Sequence, residues 1–342
     1  MKILNMKNII IFFHFFLTFV INILLHSFSF AQDSATIIMY HRFGEPNYPS
    51  TNIQMDKFES HILELKNPKY NIMKLSKIIE ELKAGNELPE FTVALTIDDA
   101  FISVYKNAWP ILEDNEIPFT IFVATDPIDQ GLNGYMNWDQ IRELKKNGVE
   151  IGSQTKSHPH MHRLSEENIR NEINYSNTRF IDELGEKPNL FAYPYGEYNL
   201  TAKKVAEENF MAAFGQQSGS AHPSLGFHEL PRFAMNEAYG SLDRLIEASN
   251  TLPIVVNDIY PKGPVISENP PPYGFTLGKN YSQIKQLQCF ISGIGEADVT
   301  IIGQRVEVRT DKKFYRPRHR INCTMPGSNG RWHWFGRQFL LN

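Results

Sequence analysis

The sequence predicts an α/β fold built on parallel strands, followed by a smaller all-β region. Two observations carry this prediction. Up to about residue 250, short apolar runs typical of strands alternate with stretches that have the features of helices, as in a parallel sheet or barrel. Beyond residue 250, proline-rich and glycine-rich turns separate short β-like runs, which is typical of a small all-β unit.

The elements of the first region follow one another in regular alternation. The predicted strands are residues 36–40, 91–97, 119–124, 149–152, 190–193 and 211–214. The predicted helices are residues 57–65, with Asp56 as N-cap, and residues 103–115, 137–147, 165–185 and 201–209. Polar clusters at residues 98–99, 154–162 and 194–196 follow strand ends. Active sites form at the carboxyl ends of parallel strands, so these clusters are the candidates for chemistry.

The first 31 residues have the layout of a cleavable signal peptide. Lys2 and Lys7 precede an apolar run over residues 9–25, and small residues stand at Ser29 and Ala31. The alternative is an uncleaved membrane anchor, because the apolar run is long for a signal peptide. The rest of the chain is expected to be periplasmic or secreted in either case, and membrane contact is expected only if the segment is uncleaved.

Composition limits the classes of partner and metal site. Of the 342 residues, 42% are hydrophobic and 21% are charged, which is enough to bury a core. The net charge of −4 leaves no basic field, so no nucleic-acid partner is expected. The two cysteines, Cys289 and Cys323, lack the Cys-x-x-Cys spacing of a zinc site. Export favours a disulfide between them.

Asp98 and Asp99 stand together at the end of a predicted strand. Two adjacent carboxylates cannot both be buried without partners, because an unpaired buried charge costs several kcal/mol. Neighbouring side chains on a strand point in different directions, so one carboxylate could bind a metal while the other acts as a base. The alternative is a solvated turn or a helix cap.

Two further segments have chemical potential. His158, His160 and His162 lie within five residues of one another, which is typical of a metal or proton-transfer site, although an exposed histidine loop is the alternative. Pro194 to Gly196 predicts a tight turn that could aim a backbone N–H into a cleft. On its own, such a segment is more often an ordinary turn.

Together these segments resemble the polysaccharide deacetylase family, which is the nodulation-protein-B homology domain of carbohydrate esterase family four. Thr96-Ile97-Asp98-Asp99-Ala100 is similar to its Thr-Phe-Asp-Asp-Gly motif. Gln154-Thr155-Lys156-Ser157-His158 resembles His-Ser/Thr-x-x-His, and Phe191-Ala192-Tyr193-Pro194-Tyr195-Gly196 resembles Arg-x-x-Pro-Tyr-Gly. The resemblance covers about residues 35–250. Tyr40-His41-Arg42-Phe43 is similar to the branch that acts on exported poly-N-acetylglucosamine.

The resemblance implies a fold, a cofactor and an activity. The fold is a distorted (β/α)7 barrel at residues 32–250, with the all-β domain at residues 252–342 lying outside the resemblance. The cofactor is a divalent metal ion, usually zinc in this family. The activity is hydrolysis of N-acetyl groups from amino-sugar polymers or oligosaccharides, so the expected partner is an N-acetylated glycan.

The family's site residues carry over by position. Asp98 is then the general base, Asp99 and His158 are metal ligands, and the Tyr195 backbone N–H holds the oxyanion in a substrate site that includes Pro194. No segment matches the motif that supplies the family's acid histidine. His41 is favoured for that role because it ends the first strand, with His222 and His228 as alternatives.

Three positions depart from the family pattern: Gln154 replaces a histidine ligand, Phe191 replaces an arginine, and Ala100 replaces a glycine. The candidates for the third metal ligand are Gln154, then His162, then His41. The alternative function is a catalytically impaired carbohydrate-binding protein on the same fold. Retention of both carboxylates at 98 and 99 favours the enzyme, because binding alone does not need both.

Overall fold

A computed structural model describes residues 31–341, and its first region is built on seven parallel strands. They are β1 (Thr36–Tyr40), β2 (Thr92–Asp98), β3 (Phe119–Val123), β4 (Glu150–Ser153), β5 (Leu190–Ala192), β6 (Ala212–Phe214) and β7 (Phe233–Ala234). The strand order is β6-β5-β4-β3-β2-β1-β7, and every neighbouring pair is parallel. The predicted fold class is therefore confirmed, although the short β7 was not predicted.

The central strands are apolar along almost their whole length because both of their faces are covered. Every residue of β1, β2 and β3 is buried, as expected for parallel strands with a filled barrel interior on one face and helices on the other. Asp98, the last residue of β2, is a charged residue in this buried set. Its burial requires a compensating partner.

Eight α-helices connect and cover these strands in the described part of the chain. They are α1 (Met55–Leu65), α2 (Leu75–Ala84), α3 (Trp109–Asp114), α4 (Thr125–Asp129), α5 (Trp138–Lys146), α6 (Glu166–Leu184), α7 (Leu200–Asn209) and α8 (Leu242–Ser249). The prediction of Asp56 as an N-cap is wrong, because α1 begins at Met55 and its N-cap is Gln54. Ser165 caps α6 as predicted, with its side chain accepting a hydrogen bond from the Asn168 backbone N–H.

A short segment joins the two ends of the curled sheet. Leu230 makes a parallel bridge to Phe214 of β6, and three residues later Phe233 pairs with Ile38 of β1. Arg232 lies between these two pairings. It is therefore at the point where the two edges of the curled sheet meet, which we call the seam of the barrel. The seven-stranded barrel expected from the resemblance is thus present in distorted form.

The C-terminal region is all β, as predicted. Its strands are β8 (Leu252–Pro253), β9 (Val256–Tyr260), β10 (Tyr273–Leu277), β11 (Gln288–Ile291), β12 (Gly295–Ile302), β13 (Arg305–Arg309), β14 (Arg318–Pro326) and β15 (Trp332–Leu340). The order is β8-β15-β14-β11-β12-β13-β10-β9. Cys289 and Cys323 lie opposite each other on β11 and β14 and form a disulfide, which confirms the predicted pairing.

The C-terminal strands pack directly against the barrel. Phe233 of β7 contacts Trp334 edge-to-face, with ring centroids 5.4 Å apart. Arg337 of β15 donates to Glu229 Oε2 at 2.8 Å, and Lys203 donates to the other carboxylate oxygen at 2.8 Å. Burial raises the pKa of Glu229, but the charges of Arg337 and Lys203 outweigh this effect and leave the pKa below its usual value.

The remaining expectation concerns the N-terminal segment. Residues 1–30 of the predicted signal peptide lie outside the described residues. Among the helices from residue 31 to residue 341, we find none that combines the length and the apolar character needed to cross a bilayer.

We expect Glu229→Gln to destabilise the folded chain by about 3–5 kcal/mol, because it removes one partner of a buried ion pair and leaves Arg337 uncompensated. Urea denaturation followed by circular dichroism would measure this loss. Arg170→Met is the control, since its ion pairs with Glu166 and Glu208 lie on the surface, and its midpoint should be unchanged. Equal midpoints for Glu229→Gln and the parent would show that the pair does not hold the two regions together.

Candidate active site

The polar residues predicted for chemistry meet at the carboxyl edge of the barrel. Asp98 ends β2, and His41 follows β1, with His41 Nε2 3.9 Å from Asp98 Oδ2. His158, in the loop after β4, has its Nε2 3.2 Å from Asp99 Oδ1. The His158 ring also lies 4.5 Å from that of Tyr195, which follows β5. Four loops that are distant in sequence therefore form one site, as parallel strands allow.

Asp98 is paired with an arginine that the sequence motifs did not indicate. Arg232 Nη1 and Nη2 donate to the two carboxylate oxygens of Asp98 at 2.7 and 2.8 Å, and both side chains are fully buried. Arg232 Nε donates to the Gly215 carbonyl at 3.0 Å. This two-point pairing supplies the compensation that a buried carboxylate requires.

The arginine therefore reaches Asp98 from the barrel seam rather than from the third motif. Phe191, which occupies the arginine position of that motif, is buried and stacks on Phe210 with ring centroids 4.7 Å apart. The signal that could have found Arg232 is its place inside the otherwise apolar run Leu230-Pro231-Arg232-Phe233-Ala234-Met235. A charge within such a run must have a buried partner.

Asp99 lies between a histidine and a glutamine. Its carboxylate contacts His158, and its backbone N–H donates to Gln154 Oε1 at 3.2 Å. Burial raises the pKa of Asp99, but the hydrogen bond with His158 and the charges of His41 and Arg42 outweigh it, so the pKa lies below its usual value. Gln154 is fully buried, and its Nε2 has no hydrogen-bond partner in the described chain.

Unusual backbone conformations concentrate at this site. Nine non-glycine residues of the described chain have positive φ, and five of them belong to the three motifs: Asp99, Ala100, Thr155, His158 and Tyr195. Such conformations cost about 1–3 kcal/mol each in sparsely populated regions and cluster at functional sites. Ala100 has φ 51°, so it adopts a left-handed conformation at the position where the family motif has glycine.

A second histidine cluster stands behind Tyr195. The Tyr195 ring stacks on His160 at 4.3 Å, and His160 Nδ1 lies 2.6 Å from Glu197 Oε2. His162 Nδ1 is 3.3 Å from the same oxygen. Burial raises the pKa of Glu197, but its contacts with His162 and His160 and the charge of Arg318 lower it to about 2. His162 thus lies with Glu197 rather than with Asp99.

The other histidines considered for the acid role lie elsewhere. His222 contacts Asp33 and Ser224, and His228 Nε2 contacts the Phe210 carbonyl. Of the three candidates, only His41 is brought to Asp98.

The C-terminal region reaches the third motif, which no sequence pattern predicted. Arg318 of β14 donates to the Tyr195 carbonyl and, at 3.3 Å, to Glu197 Oε1. Gln338 of β15 donates to the Gly196 carbonyl. Two strands of the all-β region therefore hold the turn that carries Tyr195.

Two groups of donors could hold a divalent ion. Asp99 and His158 offer a carboxylate oxygen and an imidazole nitrogen 3.2 Å apart, and the Gln154 oxygen keeps a second lone pair beside them. His160, His162 and Glu197 offer three ligand atoms within 4.8 Å of one another. In that second group, Glu197 is already paired with Arg318.

The position of the ring proton on His162 also distinguishes the two groups of candidate metal donors. Arg163 Nε donates to His162 Nε2 at 3.2 Å, which leaves the proton of a neutral ring on Nδ1, the atom facing Glu197. Metal binding there would require loss of that contact. Both groups combine oxygen and nitrogen donors, and the group formed by Asp99, His158 and Gln154 is the one that the sequence motifs indicated.

We expect Arg232→Met to lower the free energy of unfolding by about 3–5 kcal/mol, because it leaves the Asp98 charge buried without a partner. Adding Asp98→Asn should restore more than half of this loss, since a neutral amide does not require a cation. A double-mutant cycle from urea denaturation would measure the coupling. Additive effects of the two substitutions would contradict a direct interaction.

Comparison with known proteins finds similarity to deacetylases in sequence and in fold. The model of the family described as polysaccharide deacetylase matches residues 85–213. A poly-β-1,6-N-acetyl-D-glucosamine N-deacetylase of Staphylococcus aureus (strain MRSA252) is 24% identical over 240 residues, covering 61% of this chain and 81% of the relative.

Two solved structures share the fold. Streptococcus pyogenes deacetylase PplD, in complex with acetate, has a TM-score of 0.59 at 23% identity, covering 63% of this chain and 98% of that one. IcaB from Ammonifex degensii has a TM-score of 0.56 at 22% identity, covering 64% and 96%. The chain is thus similar in sequence to polysaccharide deacetylases over residues 85–213, and it shares its barrel fold with the two solved structures.

Proposed function

We propose that this chain is an exported, metal-dependent hydrolase that removes N-acetyl groups from an amino-sugar polymer. The observation that carries the proposal is the buried Asp98–Arg232 pair directly beside the Asp99–His158 pair. One carboxylate is paired with a buried arginine, while its neighbour contacts a histidine that could bind a metal. The substrate class is supported by the staphylococcal relative, which is named for poly-β-1,6-N-acetyl-D-glucosamine.

We assign residues 32–250 as the catalytic domain and residues 252–342 as a second domain that supports it. The predicted signal peptide and the similarity to polysaccharide deacetylases support export to the periplasm or the exterior. These assignments explain why the chain can carry a disulfide in its C-terminal region.

Asp98 is the proposed general base. Arg232 occupies one lone pair of each carboxylate oxygen, and each oxygen keeps another that can accept a proton from water. The bidentate pairing also fixes the orientation of the carboxylate, so no conformational freedom has to be lost before reaction. His41, 3.9 Å from Asp98, is the proposed acid that returns a proton to the leaving amine nitrogen.

Asp99 and His158 would hold the metal, with Gln154 as the third protein ligand. A divalent ion, with zinc as the family's usual choice, would polarise the acetyl carbonyl and make a water more acidic when bound there. The lowered pKa of Asp99 keeps its carboxylate available as a ligand at neutral pH.

The turn at Pro194–Gly196 is the proposed oxyanion and substrate site. Tyr195 has φ 59°, and its carbonyl is held by Arg318, so the position of its backbone N–H is constrained. A donor fixed in advance costs no reorganisation when negative charge develops on the acetyl oxygen. Tyr195 is also 38% exposed, which leaves its ring available to a sugar.

The second candidate is a glycan-binding protein on the same fold that does not hydrolyse its ligand. Gln154 is the observation that favours it, because an amide oxygen is a weaker zinc ligand than imidazole. Turnover separates the two candidates directly.

We expect Asp98→Asn to reduce acetate release from poly-N-acetylglucosamine or chitooligosaccharides by about 10²–10⁴-fold, the usual contribution of a general base. Metal content and the melting temperature of the variant should be measured in the same preparation. Asp139→Asn, at a side chain that is 85% exposed, is the matched control and should keep full activity. Near-normal turnover in Asp98→Asn would contradict the assignment of Asp98 as the general base. Absence of acetate release by the parent would favour the glycan-binding protein.

Metal content would identify the ligands. We expect Asp99→Ala and His158→Ala to lose the ion after dialysis, while His160→Ala and His162→Ala retain it. Gln154→His should bind zinc at least about tenfold more tightly than the parent, because it replaces an amide oxygen with an imidazole. The reverse pattern, with metal lost only in the His160 and His162 variants, would place the ion at Glu197.

A further inference from the structure

Strand β14 presents two arginines to the barrel, Arg318 and Arg320. Side chains two residues apart on a strand share one face, and Arg318 on this face contacts Tyr195 and Glu197. Gln338 lies directly opposite Arg320 on β15 and donates to the Gly196 carbonyl. Because opposite residues in an antiparallel pair also share a face, Arg320 is turned toward the same side of the site.

Arg320 has no partner for its charge in the described part of the chain. Its Nε is buried without a hydrogen-bond partner, whereas Arg318 pairs with Glu197 and Arg337 pairs with Glu229. Burial lowers the pKa of Arg320 to about 10, and the charge of Arg318 contributes in the same direction. Arg320 is half-buried, so its guanidinium keeps N–H donors at the protein surface that can bind an anion.

The contacts of β14 and β15 place Arg320 beside the turn after β5. Gln338, opposite Arg320, donates to the Gly196 carbonyl in that turn. The charges of Glu197, which follows the turn, and of Tyr239, in the loop after β7, favour the charged form of Arg320. Arg320 is therefore on the face of β14 that lies against the carboxyl edge of the barrel.

The other charges at this edge are balanced within the protein. Asp98 is paired with Arg232, Asp99 with His158, and Glu197 with His160 and Arg318. Arg320 alone among these groups keeps a positive charge with no carboxylate within ion-pair distance in the described residues. An anionic ligand from outside the chain would supply that counter-charge.

We propose that Arg320, with Arg318 beside it, binds an anionic group of the glycan, so the substrate is an acidic amino-sugar polymer. This inference rests on the proposed deacetylase function and names its substrate class. A guanidinium offers a planar fork of N–H donors that matches a carboxylate or a sulfate ester. A uronate residue or a sulfated sugar next to the N-acetylated one would supply that group.

Tyr239 adds an exposed aromatic ring in the loop after β7. Its side chain is 60% exposed, and an exposed aromatic ring beside a cation suits a sugar that has one apolar face and one charged substituent. Neutral glycans would use the ring but leave Arg320 unpaired.

The test is acetate release from oligosaccharides of matched length in three series. One series is neutral N-acetylglucosamine, in β-1,4 and β-1,6 linkage; one alternates N-acetylglucosamine with glucuronate; and one carries sulfate esters on the neutral backbone. We expect the parent to show at least about tenfold higher kcat/KM on one acidic series than on the neutral series. The preference should decrease with added salt, because screening weakens exposed charge pairs.

Arg320→Gln should lose this preference through a higher KM on the acidic series and should leave the neutral series unchanged. Arg316→Gln is the matched control, since Arg316 is an exposed arginine just before β14, and it should change neither. Whether the glucuronate or the sulfate series is preferred identifies the source of the charge. Binding of the acidic series to the Asp98→Asn variant, measured by calorimetry with and without Arg320→Gln, gives a readout that does not depend on turnover.

The outcomes separate the two proposals. A parent that prefers neutral oligosaccharides, or an Arg320→Gln variant that weakens both series equally, overturns the anionic substrate and leaves the deacetylase function standing. Acetate release from none of the series refutes the proposed function. In that case, calorimetric binding of an acidic series that depends on Arg320 still supports the anion site, and its absence overturns it.

Discussion

The structure depends on one buried ion pair, Asp98 with Arg232, at the seam of the barrel. Asp98 ends a strand that is buried along its whole length, and Arg232 lies in the segment that joins the last strands to the first. Because each charge is tolerable only with the other, the pair couples closure of the barrel to the presence of a carboxylate at its carboxyl edge. The same contact thus stabilises the closed barrel and orients the carboxylate that is proposed as the general base.

A second constraint is the strained backbone around that carboxylate. Asp99, His158 and Tyr195 all have positive φ, and contacts from other parts of the chain hold them there. The Asp99 backbone N–H donates to Gln154, and the Tyr195 carbonyl accepts from Arg318. The strain is offset by packing from both regions, which explains why an all-β region with no recognisable motif makes direct contacts with the third motif.

Sequence patterns located the candidate site residues that lie at strand ends. Asp98, Asp99, His158 and Tyr195 follow strand ends, and parallel strands bring such ends together whatever the details of packing. Arg232 and Arg318 were missed because their partners are 134 and 121 residues away along the chain, and no periodicity encodes such a pairing. Strand β7 was missed because two residues carry no alternation.

Gln154 shows how one substitution can serve folding and still alter chemistry. Its oxygen accepts the Asp99 N–H and so supports the left-handed turn that presents the carboxylate. Its amide nitrogen is left buried without a protein partner, at a cost of about 1–3 kcal/mol for an unsatisfied polar group. Because Gln154 contacts Asp99, a water or a ligand oxygen at the candidate site would offset this cost by accepting a hydrogen bond from the free amide N–H.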